Sequence, residues 1–121
     1  VKLEGAKLFN TNLSGSKLMG ANLSKANLRG VNLQQTNLTN VKLEKINLSG
    51  ANLENADLRN AFFRKVNLKN ANLSNVNLNG ANLNRVNLNG ANLKGAKLAG
   101  VNLSDASLCK TIMPNGTQNE C

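Results

Sequence analysis

The sequence predicts an all-β solenoid, a chain wound in stacked coils around its own core. Three observations carry the prediction. Leucine falls at Leu3, Leu8, Leu13 and every fifth residue onward to Leu108, 22 positions with one exception, Phe63. Two residues before each of these centres stands a small or β-branched side chain, Ala in 11 pentads and Val in seven. The last position of the pentad is Gly in nine cases and Asn in six.

A period of five fits neither regular element. On an α-helix, at about 100° per residue, successive leucines would advance roughly 140° and wind around the axis. On one long strand they would alternate between faces. A single apolar stripe therefore requires a change of direction inside every pentad. Gly and Asn at the pentad ends tolerate φ > 0 and suit such a turn. Between turns, the centre and the residue two before it share one parity. A short extended piece points both inward and leaves the other three positions outward.

Stacked coils pair backbone to backbone at about 4.8 Å, so each Leu packs on the Leu above and below. Burial of one Leu contributes roughly 1.5–3 kcal/mol, and only neighbouring coils can supply that burial. The residue just before the centre is Asn in 14 of the 22 pentads and Lys in five. These outward amides are expected to hydrogen-bond in ladders from coil to coil.

With 121 residues the chain makes one domain. Its aromatic residues are Phe9, Phe62 and Phe63 alone, so Leu, Ala and Val must fill the core. Fifteen Lys and Arg stand against six Asp and Glu, a net charge of +9. That excess favours an anionic partner (nucleic acid, an anionic membrane surface or an acidic protein) or serves solubility alone. No apolar run reaches the length of roughly 18 residues that a transmembrane helix needs. No leader-like segment is visible, and the chain is already inside the repeat at Val1, which reads as a fragment or a processed form.

The number of pentads per coil is hinted at by charge. Lys25, Lys45, Lys65 and Arg85 take the last pentad position, mostly Gly or Asn elsewhere, and lie 20 residues apart. That spacing suggests four pentads per turn. Units such as Ala21-Asn22-Leu23, Ala51-Asn52-Leu53, Ala71-Asn72-Leu73 and Ala91-Asn92-Leu93 resemble the pentapeptide-repeat family, over residues 1–110. The resemblance implies a right-handed quadrilateral β-helix with four pentads per coil. On that rule the 22 pentads make about 5.5 coils, a rod roughly 26 Å tall. The regularity and the ending Thr111-Ile112-Met113-Pro114-Asn115-Gly116 look like cyanobacterial members.

Folding at four pentads per coil sorts the charges by face. The first face takes Lys2, Lys25, Lys42, Lys45, Arg64, Lys65 and Arg85 against Glu4, Glu44 and Asp105. The second takes Lys7, Arg29, Lys69 and Lys110 with no acid. The third has Glu54 and Lys94, and the fourth Lys17, Arg59 and Lys97 against Asp57. Two adjacent faces thus hold 11 of the 15 cations. The column Lys25, Lys45, Lys65 and Arg85 reads either as a stripe for an anionic surface or as a solvated corner of splayed side chains.

Phe62 stands where Asn or Lys usually does and should face solvent beside Arg64, Lys65 and Lys42. Two readings apply, a binding anchor or a tolerated surface aromatic. Phe63 replaces a core Leu and is read as packing.

The repeat decays after Leu108, and residues 111–121 are read as a cap. Ile112 and Met113 cover the last Leu layer, and Pro114 with Asn115-Gly116 turns the chain away. The N-terminal end shows no cap and is expected to be covered by a further domain or by another copy in an end-to-end dimer. Cys109 and Cys121 either pin the cap as a disulfide, in a periplasm or lumen, or stay free thiols in a reducing cytosol. The cytosol is slightly favoured on sequence alone.

Chemistry is scarce. The chain lacks His, which removes the commonest general base and metal ligand. Its acids are scattered over faces and coils, and no phosphate-binding loop occurs. A Leu-packed interior leaves no room for a small-molecule substrate. Seven N-x-S/T triplets follow from the repeat itself. No enzyme, cofactor or metal is expected. The leading expectation is a scaffold for an unidentified protein partner, joined to a larger signalling protein as the resemblance implies. The alternative is polyanion or nucleic-acid binding through the basic faces. Some relatives protect DNA gyrase by imitating DNA with an acidic surface, and a +9 surface departs from that pattern.

Overall fold

The computed structural model describes Leu3 and residues 5–121; the placements expected for Val1, Lys2 and Glu4 lie outside them. From Lys7 to Asn92 the residue before the centre forms a parallel bridge with the residue 20 positions on, in every pentad but one: Lys7 with Asn27, Asn27 with Asn47, and so on to Asn92 with Ile112. Four pentads therefore make one coil. The backbone bonds repeat in the same register. Leu53 donates to the Asn72 carbonyl at 2.7 Å, and Asn72 donates to the Ala51 carbonyl at 2.9 Å.

Each corner is a β-turn closed across the pentad boundary, as when Ala51 donates to the Leu48 carbonyl at 3.0 Å. Every corner residue from Gly5 to Lys110 except Asp105 lies at positive φ. That is the conformation a type II turn demands of its third residue, and it explains the recurrent Gly and Asn.

The centres and the residues two before them form one continuous core. From Leu18 to Ala96 they are buried, most of them completely, and Phe63 is fully enclosed among them. Leu3, Leu8 and Leu13 at one end, and Leu98, Leu103 and Leu108 at the other, are only partly buried. A Leu needs a coil on both sides to lose all contact with water. Thr36 and Thr111 occupy inward positions, and their hydroxyls donate to the Leu33 and Leu88 carbonyls, each at 2.7 Å. No buried side-chain polar atom among the described residues lacks a partner.

The expected Asn ladders do not form. In all 14 Asn pentads the side-chain oxygen accepts the amide two residues on, within the same coil. Each Asn fastens its own corner, an Asx-type bond that competes with stacking for the same oxygen. Two corners without that Asn borrow one from the coil below. The Ala99 amide donates to Asn79 Oδ1, and the Cys109 amide to Asn89 Oδ1, both at 2.9 Å.

The coil register runs past Lys110. Thr111-Ile112-Met113-Pro114-Asn115 lies as one more pentad: Leu93 donates to the Ile112 carbonyl at 2.7 Å and Gly95 to the Pro114 carbonyl at 3.0 Å. The chain reverses at Asn115-Gly116, and Gln118 bridges back to Ile112 antiparallel. Among the described residues the ladder is broken once within the stack, where Asn82 makes no bridge to Asn102. This break coincides with Asp105, the corner that does not turn through positive φ.

A candidate binding surface on two adjacent faces

The 20-residue register stacks Lys25, Lys45, Lys65 and Arg85 on one corner, with φ of 63°, 62°, 61° and 59°. Left-handed backbone disfavours residues with a Cβ, Asn least among them. Gly or Asn would meet the fold's demand at lower cost, so the fold does not require cations there. The charges act on one another as well. The Lys65 ammonium is held below its ordinary pKa, first by Arg64 and then by Lys45, with burial and Arg85 adding smaller effects.

Phe62 is 41% exposed and sits on the same face. It is bridged to Lys42 below and Asn82 above, and Arg64 follows in its own pentad. In place of the Asn that would accept the Arg64 amide, it presents an aromatic ring. The first face thus joins an apolar anchor to a column of cations. Glu44 and Asp105 belong to the same face and temper its charge.

The second face carries Lys7, Arg29, Lys69 and Lys110 and no acid. Its far corner holds a feature that sequence reasoning missed, a furrow running along the stack past Arg29, Lys69 and Lys110. At that corner Gly50 leaves open space, while the Asn10 and Asn70 side chains lie over Gly30 and Gly90, where a Cβ would collide with each Asn Oδ1. Glycines at a 20-residue multiple were the available signal. On the fourth face, Arg59 pairs with Asp57 at 2.7 Å. The hydrogen bond from Arg59 holds the Asp57 carboxyl below its usual range, against a smaller opposing effect of burial.

Cys109 and Cys121 are joined as a disulfide, with their Cα atoms 4.5 Å apart. The bond ties the end of the chain to the second face. Among the described residues no cluster of His, Cys, Asp or Glu could hold a metal ion. Among the same residues no helix is long and apolar enough to cross a membrane.

A family model described as pentapeptide repeats, in eight copies, matches residues 1–35, 46–85 and 77–115. Among solved structures, a pentapeptide-repeat protein from the Arabidopsis thaliana thylakoid lumen is 33% identical. The match covers 84% of this chain and 71% of that one, with a TM-score of 0.81. Rfr23 from the cyanobacterium Cyanothece 51142 is also 33% identical, over 93% of this chain and 90% of its own, with a TM-score of 0.54. QnrB1, a plasmid-mediated fluoroquinolone resistance protein, shares the fold at 23% identity and a TM-score of 0.74, over 87% of this chain and 58% of its own. No curated protein sequence matches the chain.

Proposed function

The chain belongs to the pentapeptide-repeat family, and from that premise we propose that it is a non-enzymatic scaffold whose first face receives an anionic protein surface. In this reading the coils form a right-handed quadrilateral β-helix, as family membership implies, and its rigidity fixes the spacing of the surface groups. The carrying observation is the corner column. Four cations occupy left-handed positions where Gly or Asn suffices, and Lys65 is perturbed by its neighbours. A feature that costs stability without serving the fold supports a role in recognition. Phe62 would anchor the contact, Arg64 and Lys65 would orient it, and Lys25, Lys45 and Arg85 would extend it.

Polyanion binding is the second reading, favoured by the 11 cations on two adjacent faces. It lacks the aromatic platforms that single-stranded nucleic acids use. Imitation of DNA would need the opposite charge. The Cys109–Cys121 bond supports an oxidising compartment.

The test is capture from the source organism's lysate at low and moderate salt. Wild type is compared with a variant carrying Phe62→Asn, Arg64→Ser and Lys65→Gly, all residues the repeat already uses at those positions. A defined protein retained at both salts and lost in the variant supports the scaffold. Nucleic acid alone, released by moderate salt, supports the polyanion reading. Identical capture by both chains removes the first face from the function.

A further inference from the structure

The furrow on the second face has a regular charge pattern. Arg29 and Lys69 are 40 residues apart, two coils of the stack, and Lys110 lies 41 residues beyond Lys69, two coils and one place further round the turn. At about 4.8 Å per coil, successive cations are spaced by roughly 10 Å along the axis. Gly50 keeps the floor open midway, and the Asn10 and Asn70 amides lie over Gly30 and Gly90 on either side. Phe9, 55% exposed, stands at the lower end, and the Cys109–Cys121 disulfide stands at the upper. No acidic side chain lines it, and its three cations make no ion pair among the described residues. The depression at the lower end alone measures about 550 Å³.

We propose that this furrow binds an extended acidic polypeptide segment whose carboxylates recur at every third residue. A polyproline II segment has three residues per turn and rises about 3.1 Å per residue, so every third side chain returns to one side after roughly 9.3 Å. That period matches the spacing of two coils. A carboxylate can then meet each cation in turn while the intervening residues lie over Gly50 and the Asn10 and Asn70 amides. Duplex DNA carries a negative charge for every ~1.7 Å of its axis, a density three cations cannot match. A single strand would want stacking surfaces along its length, and the furrow offers Phe9 at one end only.

The experiment uses a fluorescent peptide of repeated Glu-Pro-Pro units, three Glu in all, titrated with the intact chain at low salt. A peptide of the same composition with its three Glu adjacent, and an oligothymidylate of equal charge, serve as comparisons. The periodic peptide is expected to bind at least about fivefold more tightly than either. Lys69→Gln weakens it at least about threefold. Gly50→Asn also weakens it, by filling the furrow without changing charge; this corner already has φ of +68°, and a Cβ there meets nothing within 4 Å. Lys65→Gln, on the first face, leaves it unchanged. Equal affinity for the periodic and adjacent peptides, or tighter binding of the oligothymidylate, overturns the proposal. So does a loss with Lys65→Gln that equals the loss with Lys69→Gln, which would assign the binding to the first face. Failure in the first two ways leaves the scaffold reading of the first face standing.

Discussion

Phe62 stands on the rung next to Lys42, bridged to it across adjacent coils, in the slot where most pentads place Asn. The substitution exchanges a corner-fastening bond for an exposed ring. Phe62→Asn should therefore retain the fold and gain about 1 kcal/mol from the restored bond to the Arg64 amide. It should also abolish capture of the first-face partner. Thermal unfolding and capture, measured on one preparation, check both halves. A less stable variant would show that Phe62 packs rather than binds.

Lys65 separates strain from repulsion. Gln35 already occupies a corner at φ 57°, so Lys65→Gln keeps the left-handed strain and removes only the charge. Lys65→Gly removes both. The expected order of melting temperature at neutral pH is Gly above Gln above wild type.

The same residue makes a pH prediction. The folded pKa of Lys65 is lowered, chiefly by Arg64 and Lys45. Between the folded and unfolded values the unfolded chain binds more protons, so stability rises with pH there. Wild type should gain on Lys65→Gln as pH climbs through the alkaline window just below the ordinary lysine value of 10.5. Melting curves at closely spaced pH values would reveal a constant gap if the column does not interact.

Gly30 and Gly50 share nearly the same left-handed φ, but a Cβ on Gly30 would collide with Asn10 Oδ1 while one on Gly50 would meet nothing. Gly30→Ala should cost more than Gly50→Ala, by on the order of 0.5–1 kcal/mol, since the Asn10 side chain can partly yield. The difference should vanish in an Asn10→Gly background. A double-mutant cycle by denaturant unfolding measures it, and a difference that persists would place the cost elsewhere.

The disulfide closes a loop with a sequence separation of 12. Reduction, or Cys121→Ser, should cost about 2–3 kcal/mol. It should loosen the return segment first, where the Asn119 amide meets the Thr111 carbonyl at 2.9 Å. Hydrogen exchange at Asn119 and Met113 should rise before exchange at Leu53 or Leu73. A melting temperature unchanged by reductant would mean that the register at Ile112 alone holds the end.

Much of the fold is legible because each pentad states its geometry in side chains. The Leu stripe marks the inside, Gly and Asn mark left-handed corners, and four cations at a spacing of 20 mark the coil. What escaped reading has physical causes. Period places Asn22 or Asn72 on the outside, but the same oxygen can serve the coil or its own corner, and only the geometry decides. The pentad from Thr111 to Asn115 hides because Thr111 satisfies its hydroxyl on the Leu88 carbonyl, allowing a polar residue into the core. The furrow hides because its open stretch is a missing side chain, at Gly50, and because only the fold lays Asn10 and Asn70 over Gly30 and Gly90. On the first face, periodicity located Phe62, Arg64 and Lys65, but the cost of the column became visible only with the backbone angles.

Because neighbours across the stack are set by a count of 20, the chain has a reading frame at the level of structure. Inserting one pentad would preserve the Leu stripe yet hand every downstream surface group to the next face. Arg85 would leave the column of Lys65, and Lys110 would leave the line of Lys69. Inserting four pentads would lengthen the rod and return each group to its own face. Length can therefore change in whole coils without erasing the surface pattern, whereas a smaller step scrambles recognition while leaving the core intact.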